Sequence, residues 1–352
     1  MNEIINLLKK KPIPLDRFIE ISLYKKNFGY YMKKNPFGKK GDYITSPLIS
    51  NLFAEMITVW CVAFWENLGK PKKILITELG PGDGSLCIGL LNTSKHFKKF
   101  YESLEINLLE ISENLKIIQK KKIQNKKVKW IKTINKINKG PIIFIGNEFF
   151  DALPIKQLVK KKNLFYEKYV SFSKKKKFFF SFKKAKKNLI NDAKKLNLLL
   201  NNGIIEYPIN SIKYLKLIAK KIKRYDGGLL TFDYGYTGIK NKDTLQSVKK
   251  HKYINLLTNP GVSDITSHIN YNLFFKILKK NDLDVKKTTS QREFLQKLGI
   301  IERANILSKK ISFINKANMF YRLKKILHKN EMGDLFKVLF AKKKGKKFSL
   351  GF

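Results

Sequence analysis

The sequence predicts an α/β chain built on a doubly wound sheet, and three observations carry that prediction. Short apolar runs at Ile74–Ile76, Leu104–Leu109, Val128–Ile131, Pro141–Ile145 and Gly228–Phe232 recur between stretches of helical periodicity, the rhythm of strands joined by helices. The first run passes through Glu78 into a tight loop with Gly80, Gly82 and Gly84, and Ser85 then opens a helix through Leu86, Ile88 and Leu91. Strand, glycine turn and helix begin a doubly wound unit, whose ligands bind beyond the carboxyl ends of the strands. Finally, 352 residues with 43% hydrophobic content suffice for one large core with insertions.

Each element follows in order. Residues 1–70 form an N-terminal helical segment. Asn2–Lys10 and Leu15–Tyr24 read as helices separated by Pro12 and Pro14. Gly29–Tyr31 and Asn35–Gly38 are turn signals, and 41–47 is extended and polar. Asp42 and Thr45 stand there as lid or substrate residues over the site, or as an N-cap with its loop. Ser50–Leu68 is a helix with an apolar stripe of core type. Residues 71–155 are the first part of the core: the glycine loop, the strand Leu104–Leu109 ending in Glu110, the helix Glu113–Lys122, then the third and fourth strands. Residues 156–225 interrupt the rhythm. Gln157–Val159, Phe165–Phe172 and Phe178–Phe182 read as strands of a β-hairpin insertion, followed by a helix Ile212–Arg224. Residues 226–296 complete the core, with a helix Tyr271–Lys280 and a strand Val285–Thr289. Residues 297–352 read as helical, and Lys342–Lys347 as a solvated, frayed tail.

The bulk numbers exclude several classes. No run approaches the roughly 18 apolar residues of a membrane span. Met1–Ile4 lacks a charged n-region leading into an apolar run, so no signal peptide is expected. Cys61 and Cys87 sit in apolar helical contexts and read as core residues in a reducing, cytoplasmic setting. The four histidines, His96, His251, His268 and His328, have no carboxylate or cysteine at ligand spacing, so no metal site is expected. The net charge of +46 invites a nucleic-acid reading. However, only five of the 73 basic residues are arginine, and Lys, Asn, Ile and Phe are inflated together, which reads as composition bias rather than a dedicated surface.

The glycine spacing discriminates between ligands. A dinucleotide loop reads G-x-G-x-x-G, and a P-loop ends in Gly-Lys-Ser/Thr; neither is present. Glu78 and Asp83 would repel a pyrophosphate but suit a ligand bearing an ammonium and a sulfonium. Glu-x-Gly-x-Gly-x-Gly resembles motif I of class I S-adenosylmethionine-dependent methyltransferases, a Rossmann-like fold. The cofactor-binding candidates are Glu78, Gly80, Gly82, Gly84 and Glu110, the last placed to accept the ribose hydroxyls.

The acceptor then belongs at the end of the fourth strand, where Asn147-Glu148-Phe149-Phe150-Asp151 falls. Methyl transfer needs alignment and exclusion of water. An amide and a stacking ring suit a neutral base, whereas carboxylates suit a guanidinium in bidentate fashion. A permanently charged guanidinium also needs a carboxylate to receive its proton. Glu148 is the first catalytic candidate, followed by Asp151 and Asn147. Phe149 and Phe150 either stack on substrate or pack.

These residues lie within longer segments. GYYM (29–32), PFGKKGDYITSPLIS (36–50), ELGPGDGSL (78–86), LLEISENLK (108–116), NEFFDALPI (147–155), TFDYGY (231–236), DTLQSVKKHK (243–252), PGVSDITSHINY (260–271), TSQREFLQKLGI (289–300) and MGDLFKVL (332–339) together resemble the MidA-like methyltransferases, from about Leu15 to Leu339. That family includes the mitochondrial complex I assembly factor that dimethylates an arginine. The resemblance implies a class I methyltransferase fold, S-adenosyl-L-methionine as cofactor, and a protein-arginine methyltransferase acting on the 49-kDa-type subunit of NADH:quinone oxidoreductase. It adds His268 to Asp42 and Thr45 as substrate or lid residues. The expected partner is a protein substrate, with a homodimer left open, no specific nucleic acid and no membrane insertion. The expected location is bacterial cytoplasm, or mitochondrial matrix in a eukaryote. The family usually has arginine at Asp83, glutamate at Leu48 and aspartate at Asn270. An RNA methyltransferase and a non-catalytic assembly factor are the competing readings.

Overall fold

Every side chain of the run Ile74–Leu79 is buried, Glu78 included. A strand covered on both faces belongs at the centre of a parallel sheet, and that is its place. The computed structural model describes residues 2–33, 36, 46–175, 177–199, 203–238, 240, 243–249 and 252–352. Its central sheet contains β1 (Ile74–Leu79), β2 (Leu104–Leu109), β3 (Val128–Ile131), β4 (Ile142–Asn147), β5 (Gly227–Tyr236), β6 (Leu283–Val285) and β7 (Phe336–Lys343), in the order β6-β7-β5-β4-β1-β2-β3. Strands β1 to β5 are parallel, and β7 runs antiparallel between β5 and β6. The chain leaves β1 toward β2 and β3, then crosses back to β4. That reversal opens a crevice beyond the ends of β1 and β4.

Alternating strand residues feed two apolar layers. Ile74, Ile76, Ile143, Ile145, Leu230, Phe232, Val338 and Phe340 pack under the helices Asn51–Asn67, Ser85–Ser94, Gln291–Lys297, Ile300–Ser308 and Phe313–Leu327. Leu75, Leu79, Phe144, Leu229, Leu339 and Ala341 pack on the opposite face under Ile209–Tyr225 and Tyr271–Lys280. Cys61 and Cys87 are both free and buried in the first layer. No helix of the described residues is long and apolar enough to cross a membrane.

The insertion is a second sheet. Lys156–Lys161, Leu164–Phe172, Phe178–Lys184 and Ile204–Tyr207 are joined by Ile13–Pro14 from the N-terminal segment, a partnership across more than 150 residues that local patterning does not reveal. The helices Asn2–Lys10 and Leu15–Tyr24 bury Ile4, Leu8, Leu15, Phe18 and Ile19 against it. A three-stranded unit, Gln246–Lys249, Lys252–Ile254 and Asp264–Thr266, adjoins.

Three expectations need correction. The final segment is not helical throughout, because Phe336–Lys343 is a strand inside the central sheet. Lys342 is not part of a frayed tail: it is buried, with its Nζ 3.6 Å from the Asp284 carboxylate. The strand expected at Val285–Thr289 is two shorter pieces, Leu283–Val285 and Thr289–Ser290, each paired with β7.

Candidate active site

A cavity of about 300 Å³ occupies the crevice. One wall is Glu78, Gly80, Gly82, Asp83 and Glu110 from the ends of β1 and β2. The other is Asn147, Glu148 and Phe149 from the end of β4. Tyr24 and Tyr31 come in from the N-terminal segment, and Tyr214 from the helix Ile209–Tyr225.

The loop after β1 turns through left-handed conformations at Gly80 (φ 64°), Gly82 (φ 56°) and Gly84 (φ 86°), which glycine adopts without the steric cost a side chain brings. A Cβ on Gly80 would lie 2.9 Å from Phe149 Cδ2, and one on Gly84 2.8 Å from Ile123 Cδ1. The loop is anchored from outside. Gln119 Nε2 donates to the Gly82 carbonyl at 2.8 Å and to Glu110 Oε2 at 3.1 Å, while Gln119 Oε1 accepts from Trp130 Nε1 at 2.8 Å. Asp83, where the resembled family usually has arginine, pairs with Lys122 at 2.5 Å, and its Oδ1 accepts from the Ser85 N–H at 3.1 Å.

Three carboxylates face this end of the cavity. Burial pushes Glu78 up to about 8, and Asp83 and Glu110 add to the shift. Its Oε2 is buried, and among the described residues it has no hydrogen-bond partner. Glu110 is also raised by burial, against hydrogen bonds from the Ser112 N–H at 2.7 Å and from Gln119.

The far end is more acidic still. Glu148 has φ 52°, a left-handed conformation that costs a non-glycine residue roughly 1–2 kcal/mol. Its N–H donates to the Phe232 carbonyl at 2.9 Å, and Asn147 Nδ2 donates to its Oε1 at 3.2 Å. Burial pushes Glu148 up to about 8, Asp151 adding, with the hydrogen bond from Asn147 opposing. Asp151 is raised chiefly by burial, against a hydrogen bond from Tyr234. Asp233, at the end of β5, is fully buried and raised by burial, then by Asp151 and Glu148. Its Oδ2 accepts the N–H groups of Phe150 and Asp151 at 3.1 and 3.2 Å, pinning the turn after β4. Asp264 accepts from the Tyr31 hydroxyl at 2.7 Å.

Of the residues singled out in the sequence, Glu78, Gly80, Gly82, Glu110, Asn147 and Glu148 come together on the cavity wall. Gly84 lies one step behind, as the left-handed residue before the helix Ser85–Ser94. Asp151 is behind the wall rather than on it. Among the described residues its buried Oδ1 has no hydrogen-bond partner. Phe150 packs in the core against Phe274, whereas Phe149 is on the wall. His268 is not on the cavity: its ring meets Tyr234 edge-on at 5.4 Å, with Nδ1 3.3 Å from Lys240 Nζ. Asp42 and Thr45 lie outside the described residues. Asn270, at the family's aspartate position, caps the helix Tyr271–Lys280 through the Leu273 N–H at 3.0 Å, a task that amide and carboxylate share. Sequence reasoning did not assign roles to Tyr24, Tyr31, Gln119, Tyr214, Asp233 or Asp264. The segments GYYM, TFDYGY and PGVSDITSHINY contain three of them, Tyr31, Asp233 and Asp264.

The chain is similar to known proteins over most of its length. A protein arginine methyltransferase NDUFAF7, mitochondrial, from Xenopus laevis is 28% identical over 369 residues, covering 96% of this chain and 83% of its own. The Caenorhabditis elegans homolog of the same name is 31% identical over 320 residues, covering 83% and 74%. A Burkholderia thailandensis protein whose crystal structure holds S-adenosyl-homocysteine shares the fold with a TM-score of 0.83 at 22% identity, over 99% of this chain and 92% of that one. A family model of S-adenosyl-L-methionine-dependent methyltransferases matches residues 56–289, so the chain belongs to that family and takes its methyl group from S-adenosylmethionine.

Proposed function

We propose that the chain is a protein-arginine N-methyltransferase. The observation that carries this is the buried acidic cluster. Asp151 adds to the proton affinity of Glu148, and Asp151 and Glu148 both add to that of Asp233, and among the described residues no ion pair reaches any of the three. Of the three only Glu148 lines the cavity, with Asp151 and Asp233 buried behind it, and carboxylates held together in low dielectric favour a cation at the face they leave open. A guanidinium fits such a site because its fork of N–H donors engages both oxygens of a carboxylate.

The other end of the cavity fits the methyl donor. Glu78, with its orphaned Oε2, suits an ammonium, Gly80 and Gly82 leave room for close approach, and Glu110 stands where ribose hydroxyls are held. S-adenosylmethionine, when bound there, supplies a methyl group on a positively charged sulfur. The chain's own part is to hold the acceptor in line, exclude water and take up a proton. Asn147 orients Glu148, and a Glu148 carboxylate oxygen takes the proton that the guanidinium nitrogen loses on methylation. Asp233 keeps the Phe150–Asp151 turn in place.

The finer assignment follows the sequence resemblance: the target is a subunit of NADH:quinone oxidoreductase, of the 49-kDa type, modified during assembly. The vertebrate relatives are named as mitochondrial proteins. Two buried free thiols suit a reducing compartment, cytoplasm or matrix. Mass spectrometry of arginine methylation in cells with and without the gene tests target and chemistry together. Loss of methylarginine from that subunit is the expected result. An unchanged arginine pattern would remove the proposal.

A further inference from the structure

We infer that Tyr24 and Tyr31 form the aromatic face of the acceptor subsite and select a planar guanidinium over an ammonium, a reading that rests on the arginine substrate proposed above. Both residues line the cavity. Their rings stack, with centroids 5.7 Å apart and an interplanar angle of 18°, and Tyr30 braces Tyr31 edge-on at 5.2 Å. Each hydroxyl ties its ring to the acidic end. Tyr24 donates to the Ala152 carbonyl at 2.9 Å, one residue beyond Asp151, and Tyr31 donates to Asp264 Oδ1 at 2.7 Å. Burial, then Asp264 and Asp151, hold the Tyr24 hydroxyl well above its usual range, so it remains a neutral donor.

The pair is also fixed to the cofactor end. Ser112 Oγ donates to the Tyr31 carbonyl at 2.7 Å, and Asn114 Nδ2 donates to the Met32 carbonyl at 2.7 Å. Ser112 is the residue whose N–H holds Glu110. The aromatic wall therefore stands in a set position relative to both Glu110 and Glu148. A guanidinium is flat: it lies against a ring while its edge N–H groups reach carboxylates. An ammonium is compact and strongly hydrated, and gains less from that combination.

The test uses the wild-type protein, Tyr31→Leu and Tyr31→Phe. Each is incubated with radiolabelled S-adenosylmethionine and total protein from cells lacking the gene, and acid hydrolysates are resolved into methylarginine and methyllysine. Affinity for S-adenosylhomocysteine is measured on each by calorimetry. Wild type is expected to label arginine, Tyr31→Leu to label it roughly tenfold less, and Tyr31→Phe to recover much of the loss, with S-adenosylhomocysteine affinity within about twofold throughout. Should Tyr31→Leu fail to fold by circular dichroism, Tyr31→Met serves in its place. Arginine labelling by the ringless variant at the wild-type rate overturns the inference. So does a folded variant that loses S-adenosylhomocysteine affinity in step with its label, since the ring would then belong to the cofactor. A wild-type protein that labels no arginine overturns the arginine reading itself, a separate outcome.

Discussion

Glu78 and Glu148 each sit where a carboxylate holds its proton to about 8, and the consequences separate by residue. S-adenosylhomocysteine carries an ammonium, which favours ionised Glu78. Its affinity should therefore rise from pH 6 to 8.5, with a proton released near pH 7. Calorimetry in buffers of different ionisation enthalpy reads that proton, and Glu78→Gln should abolish it. Glu148 must be ionised to accept a proton, so kcat/KM should climb with pH and reach half its maximum near 8. Glu148→Gln should lower kcat by about 10²- to 10⁴-fold while S-adenosylhomocysteine still binds. Both folded-state values lie above those of an unfolded carboxyl, so the unfolded chain ionises first as pH rises. Stability without ligand should therefore fall between about pH 4.5 and 8, seen as a falling Tm, and S-adenosylhomocysteine should offset more of that loss at pH 8 than at pH 6. Gly80→Ala forces a side chain into a left-handed turn against Phe149, at a cost of about 1–3 kcal/mol. Loss of cofactor binding in the calorimeter checks it.

Among the elements, β7 joins β5 to β6 and is buried over most of its length. Leu339 is fully buried in the layer opposite Val338 and Phe340. Leu339→Ala should destabilise the fold by about 2–5 kcal/mol, measured by chemical denaturation. This strand was not legible in the sequence. Phe336–Ala341 is a short apolar run with one lysine, and a run of that length fits a buried strand or a buried helix alike. The parallel strands β1 to β4 were legible because each apolar run ends in a turn signal or polar residue of its own. The site was legible to the same extent and for the same reason. Glu78, Glu110, Asn147 and Glu148 stand at or just past strand ends, a position that local pattern marks. The bond from Tyr31 to Asp264 joins residues 233 positions apart, and no local pattern carries it. The same applies to Ile13–Pro14 on the insertion sheet. His268 turns to Tyr234 and Lys240 rather than to the cavity, because proximity within a motif does not decide which way a side chain points from a loop.

For the molecule as a whole, a net charge of +46 surrounds a cavity whose walls gather carboxylates. Anions are drawn to the surface and cations to the crevice. The protein should therefore retain RNA or heparin on a column at low salt and release it between about 50 and 200 mM salt. Added RNA should accept no methyl label. The same architecture sets an order of assembly during synthesis. β5 holds Asp233, and one side of it pairs with β4. Its other side pairs with residues 336–342. A nascent chain that has left the ribosome only as far as residue 335 thus presents β5 with a row of unsatisfied amides and carbonyls, an open template for a neighbouring polypeptide. Holdase chaperones have a defined window in which to cover it, which closes when the next eight residues arrive.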